Sequence, residues 1–157
     1  MRRIPVLACL GVLLGSTLLW AGSPQDTRPF ETALAAGDAA RANGQWTAAI
    51  QHYRAALVLQ PHQAEARFYL AMAYREASRF YEARRNFRLA LNEKPHDRAW
   101  ESQCRLQVAA CWEATRNNRE ALAEYRLALG ANADSDLAKA GEKRSVAQVH
   151  GADDGSK

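Results

Sequence analysis

Small and aromatic residues recur at helical spacing between residues 44 and 61. Ala49, Tyr53 and Ala56 fall on one face with Leu57 beside them, and Pro61 closes the segment. The same pattern returns 34 residues later as Ala83, Phe87, Ala90, Leu91 and Pro95. Small residues three and four places from a ring let another helix approach closely, and a proline stops the helix that carries them. Upstream of each copy lies a second amphipathic stretch. Ala36-Gly37 with Ala40 precedes the first, and Leu70-Ala71 with Tyr74 precedes the second. A third copy is offset by 38 residues: Val108, Ala109 and Trp112, then Ala121, Tyr125 and Ala128. Both of its stretches move together, so four extra residues must lie before Val108. Residues 96–101 are the natural place, with Asp97 capping an early start and the helix gaining about one turn.

A fixed period of this length predicts stacked helical hairpins. The expected architecture is an all-α solenoid of three helix-turn-helix repeats with a short C-terminal capping helix. The boundaries read as a leader over 1–22, a linker over 23–28, repeats over 29–62, 63–97 and 98–133, a cap over 134–150 and a frayed tail over 151–157. Asp26 or Thr27 caps the first helix, and Asn43-Gly44 breaks it. Asp134-Ser135-Asp136 caps the last, which is polar and weakened by Gly141. Trp100 should pack on the end of the preceding helix. Phe80 takes the turn position of Trp46, whereas Arg116-Asn117-Asn118 lacks the ring, and Ala133 stands where Pro61 and Pro95 stood.

These residues resemble the tetratricopeptide (TPR) family, over about residues 30–133. The positions that carry the resemblance are Gly37, Ala49, Tyr53, Ala56 and Pro61; Ala71, Tyr74, Ala83, Phe87, Ala90 and Pro95; and Ala109, Trp112, Ala121, Tyr125 and Ala128. Ala40 is small where the family usually has a ring. The resemblance implies a scaffold whose first helices line a concave groove that holds a protein segment. The groove residues it implies are Leu34, Asp38 and Arg41; Phe68, Met72 and Arg75; Leu106, Ala110 and Glu113. Phe68 has two readings, as an anchor in the groove or as packing between helices. Chaperone-binding members clamp a peptide carboxylate with Lys and Asn, and the matching places here hold Leu34, Asp38 and Met72. The implied role is a scaffold or adaptor of a bacterial cell envelope, in pilus or secretion assembly, or else a periplasmic assembly chaperone that holds unfolded chains.

Composition narrows the chemistry. The chain has 157 residues, 48% hydrophobic, with a net charge of +4, or +2 once Arg2 and Arg3 are set aside. That charge does not argue for nucleic acid. His52, His62, His96 and His150 are scattered, and no nucleophile, phosphate-loop or metal-ligand motif is present, so neither an enzyme nor a metal, cofactor or specific small-molecule site is expected. Cys104 and Cys111 lie seven apart on one expected helix, about 10 Å at 1.5 Å per residue, too far for a disulfide; they read as small buried thiols. Arg79, Arg84, Arg85 and Arg88 form a basic face, either a solvated outer face or a surface for a partner or anionic lipid. Arg84 replaces the apolar Ile50, so it is more exposed or lays its stem along apolar surface.

The leader starts with Met1-Arg2-Arg3 and runs uncharged from Ile4 to Gly22. Two readings stand: a cleaved secretory signal, or an uncleaved anchor in the inner membrane. Val6-Leu7-Ala8-Cys9 comes too early for a lipoprotein site. Either way the domain is expected to be exported, on the periplasmic side.

Overall fold

In a computed structural model, the structure describes residues 27–154; the leader and most of the linker lie outside them. The described residues form seven helices: α1 (Arg28–Ala42), α2 (Trp46–Leu59), α3 (Ala64–Glu76), α4 (Phe80–Glu93), α5 (Arg98–Ala114), α6 (Asn118–Ala131) and α7 (Asp136–Asp154). Consecutive helices pack on each other throughout, and α7 packs on α6 while also reaching α5. The fold is therefore three hairpins closed by a seventh helix. No helix among the described residues is long and apolar enough to cross a membrane.

The backbone carries the repeat register. Gly44, Ser78 and Arg116 adopt the left-handed conformation, with φ of 70°, 59° and 60°, and they are the positions 34 and 38 residues apart that the sequence pattern aligns. At each, the following amide reaches back across the turn: Gln45 to Ala40, Arg79 to Tyr74 and Asn117 to Trp112, at 2.9, 2.8 and 2.9 Å. This is the Schellman closure, which satisfies the last carbonyls of a helix. Only the first hairpin has glycine there, so Ser78 and Arg116 hold a conformation that costs a side chain about 1–2 kcal/mol. Each second helix also stops at an equivalent residue. In two cases the stop comes just before a proline, Pro61 or Pro95, and in the third it occurs at Asn132 without one.

The four extra residues lie where the offset demands. α5 has 17 residues against 13 in α3, and Asp97 accepts a hydrogen bond from the Trp100 amide at 2.9 Å. The Trp100 indole donates to the Ala90 carbonyl at 2.9 Å, which fixes it on the end of α4. Cys104 and Cys111 are fully buried and unpaired, and burial pushes their thiols up to about 12 and about 11.

Three expectations change. Thr27 occupies the cap position of α1, but its hydroxyl donates to Glu31 instead of accepting a backbone amide. The last helix is not short: α7 has 19 residues and runs to Asp154, through what the sequence reads as the start of a tail. Gly141 keeps the propensity cost of a helical glycine but has a packing role. A Cβ on Gly141 would lie 2.3 Å from the Tyr125 ring, so the missing side chain is what lets α7 dock on α6. Gly37 serves Tyr53 in the same way, with a Cβ distance of 2.6 Å.

The interior is a continuous cluster from Ala40 and Tyr53 through Phe68, Tyr74 and Phe87 to Cys104, Val108 and Cys111, with a second around Ala109, Ala121 and Tyr125. The alanines at the small positions, Ala49, Ala56, Ala83, Ala90, Ala121 and Ala128, are all fully buried. This is the close helix approach that the small-aromatic-small pattern implies.

Candidate functional site

The first helix of each hairpin and α7 carry the candidate groove. Leu34, Met72, Leu106 and Ala110 are half-buried, so each offers apolar surface without being lost to the core. Between α3, α5 and α7 this surface deepens into a cavity of ≈190 Å³. Leu106 and Ala110 line it from α5, Leu137 from α7, and Arg75 and Arg144 from α3 and α7. Tyr125 contributes from α6.

The charged residues of this region are tied to their neighbours. Arg75 donates to Gln107 and, at 2.6 Å, to the Glu76 carboxylate. Glu113 accepts the Tyr125 hydroxyl at 2.8 Å and the Arg144 guanidinium at 2.9 and 3.2 Å. The Arg144 hydrogen bond comes first and the Tyr125 hydroxyl adds to it, so the Glu113 carboxyl is held below its ordinary range despite burial. Burial, then the hydrogen bond to Glu113, pushes the Tyr125 phenol up to about 12. The result is a neutral, hydrogen-bonded floor with arginine stems above it. The surface offers apolar contact together with the remaining donors of Arg75 and Arg144. It contains no nucleophile–base pair, and no group of three His, Cys, Asp or Glu among the described residues is placed to hold a metal.

The nine residues implied for the groove do not all meet. Arg75, Leu106 and Ala110 line the cavity, Glu113 is hydrogen-bonded to its Tyr125 and Arg144, and Met72 packs against the core cluster. Asp38 and Arg41 are bound up at the other end, where Tyr53 donates to Asp38 at 2.6 Å and accepts from Arg41 at 3.3 Å. The Arg41 guanidinium also sits 5.8 Å from the Tyr69 ring. That pair therefore closes the first hairpin rather than standing free as a charged groove edge. Phe68 is a correction: it is only 6% exposed and packs 5.2 Å from both Phe87 and Trp100. Its two rings of neighbours make it a core residue, and the groove loses its only aromatic anchor among those nine.

The sequence pattern missed Leu137 and Arg144, because α7 was read as a polar cap rather than as a wall. The available signal was periodicity: Ala138, Gly141 and Ser145 are the buried face of α7, at spacings of three and four.

The model of the TPR repeat matches residues 37–78. The TPR domain of Arabidopsis OM64 superposes with a TM-score of 0.67 at 25% identity, covering 76% of this chain and 95% of that one. Residues 37–78 thus match a TPR repeat, and the described residues share the fold of TPR domains. Two further TPR-like structures share the fold at lower identity. The first TPR of Spaghetti (RPAP3), bound to the HSP90 peptide SRMEEVD, gives a TM-score of 0.70 at 18% identity, over 80% of this chain and 96% of that one. The Yersinia enterocolitica type III secretion chaperone SycD, in complex with a peptide of the translocator YopD, gives 0.63 at 14% identity, over 81% and 94%. No curated protein matches the chain. The three hairpins and α7 are similar in fold to TPR domains, among them ones solved with a bound peptide.

Proposed function

We propose that this protein holds a segment of one partner protein in the groove between α3, α5 and α7. The observation that carries this reading is the cavity there, with an apolar floor from Leu106, Ala110 and Leu137 and guanidinium groups from Arg75 and Arg144 at its sides. An occupant with a small apolar anchor and an adjacent carboxylate fits that combination. The anchor supplies most of the affinity, and the charges set orientation and on-rate. The peptide-bound state of the RPAP3 and SycD structures supports a peptide-like occupant.

The leader supports work in a bacterial cell envelope: a basic start, then an uncharged run from Ile4 to Gly22. The adaptor reading places the domain on the periplasmic side, soluble or held at the inner membrane, in pilus or secretion assembly. The SycD likeness favours one rival, an assembly chaperone for exported chains. A reporter enzyme active only outside the cytoplasm, fused after Lys157, should be active; activity confined to a cytoplasmic reporter contradicts export.

Ala110→Glu tests the groove, because it places bulk and charge on the cavity floor. The variant should melt as the wild type does and should no longer capture the partner from envelope extracts. Unchanged capture by the folded variant overturns the groove reading. Capture of many unrelated unfolded chains, with general suppression of aggregation, selects the chaperone.

A further inference from the structure

The outer side of the second helices carries two cavities that the groove reading does not use. One, of ≈320 Å³, is lined by Arg84, Arg85, Arg88, Leu89, Tyr81 and Trp112. The other, of ≈450 Å³, is lined by Gln51, Arg54, Ala55 and Val58 of α2, with Arg67 and Leu70 of α3. They are repeat copies: Gln51, Arg54, Ala55 and Val58 correspond to Arg85, Arg88, Leu89 and Asn92, each 34 residues on. The outer face thus presents the same depression twice, one repeat apart, and each has arginines beside exposed apolar surface. Val58 is 80% exposed and Tyr81 72%.

The α4 cavity is the better built. The Arg84 guanidinium lies 3.6 Å from the centroid of the Trp112 ring, which pins it flat. Its Nη1 is buried and has no hydrogen-bond partner among the described residues. A buried donor without an acceptor is costly, and guanidinium groups are best satisfied by a carboxylate or phosphate. The local acid does not meet this need. Glu124 accepts from Arg88 at 3.0 Å and is shared with Arg105 at 3.4 Å. Among the described residues, Arg54 and Arg85 have no ion pair or hydrogen bond. The face therefore holds more guanidinium than carboxylate, arranged around cavities that also want apolar contact.

We infer that this outer face is a second docking surface, separate from the groove, for an acidic segment of a protein whose carboxylates alternate with apolar side chains. The carboxylates meet Arg84, Arg85 and Arg54, and the apolar residues enter beside Tyr81, Leu89 and Val58. An extended segment suits the two repeated cavities, because acidic and apolar contacts recur at the interval of one repeat. A lipid surface would reward the arginines but would not use the α4 cavity walled by Tyr81 and Trp112.

The test uses the full chain and a ten-residue probe peptide in which Glu alternates with Leu and Phe. The Trp112 indole signal, followed by nuclear magnetic resonance, should move and saturate. Arg84→Gln combined with Arg85→Gln should weaken binding about tenfold, and Arg85→Gln alone about threefold. Arg85 is exposed and unpaired, so the single variant keeps the test valid if loss of the Trp112 stack disturbs folding. Ala110→Glu should bind the probe as wild type does, which separates this surface from the groove. The inference is overturned if the Trp112 signal shows no saturable change, if a Gln-for-Glu peptide binds equally well, or if phosphatidylglycerol vesicles move the signal and the peptide does not.

Discussion

The middle hairpin and its two neighbours solve one packing problem with different chemistry. Each second helix places a ring at the same repeat position: Tyr53, Phe87 and Tyr125. In the outer hairpins the ring is a buried phenol that donates to a carboxylate, Asp38 at 2.6 Å or Glu113 at 2.8 Å. In the middle hairpin the residues that correspond to Asp38 and Arg41 are Met72 and Arg75, so neither offers a carboxylate. The ring there is Phe87, fully buried against Phe68. The hydroxyl is present where an acceptor exists and absent where none does, as the cost of an unsatisfied buried hydroxyl requires. The stack is thus oily at its centre and tied by hydrogen bonds at its ends. The C-terminal tie does further work, because Tyr125, Glu113 and Arg144 dock the helix that completes the groove.

The largest effect should come from the centre. Phe68→Ala removes a ring that touches both Phe87 and Trp100, and the loss should be about 3–5 kcal/mol in denaturant unfolding. A variant that keeps wild-type stability but loses binding would return Phe68 to the groove.

Next is the seat of Tyr125. Gly141→Ala puts a methyl 2.3 Å from that ring, and overpacking should cost about 1–3 kcal/mol, partly offset by the helix preference of alanine. Hydrogen exchange should show α7 opening before α3 and α4; equal protection throughout would mean that Gly141 is not the hinge of docking.

The comparison itself breaks if rings and acceptors can be exchanged freely. Phe87→Tyr buries a hydroxyl beside Met72 and should cost about 1–3 kcal/mol. Adding Met72→Asp should recover part of that loss. Thermal melting of the single and double variants reads the coupling, and additive costs would refute it.

The smallest effect is alkaline. Folding raises the Tyr53 and Tyr125 phenols from 10.0 to about 12, chiefly by burial and then by their carboxylate partners. A group whose folded pKa is raised favours the fold fully below its unfolded value and loses that contribution as pH climbs to the folded one. Stability should therefore fall between about pH 10 and 12, and less steeply in Tyr53→Phe. A melting temperature flat across that interval would contradict the buried phenols.

Much of this was legible in the residues. The step from 34 to 38 located the longer α5, and the same arithmetic aligns the left-handed turns at Gly44, Ser78 and Arg116. Side-chain commitments were not. A first helix has one face toward its hairpin partner and another toward the groove, and Phe68 at the border joins the core by packing on Phe87 and on Trp100 from the next hairpin. Arg84 packs where the first repeat has Ile50, because a flat guanidinium can lie on Trp112. Gly141 looked like a helix weakness because propensity is local, whereas its purpose is contact with Tyr125.

The central claim is that α5 and α7 form two walls of one binding groove. Photo-crosslinking residues placed at Ala110 and at Leu137, on opposite sides of the cavity, test it in cells. Both positions should yield the same discrete protein adduct, and a control at exposed Glu120 on α6 should not. Different adducts from the two walls, or an adduct from Glu120 alone, would contradict it.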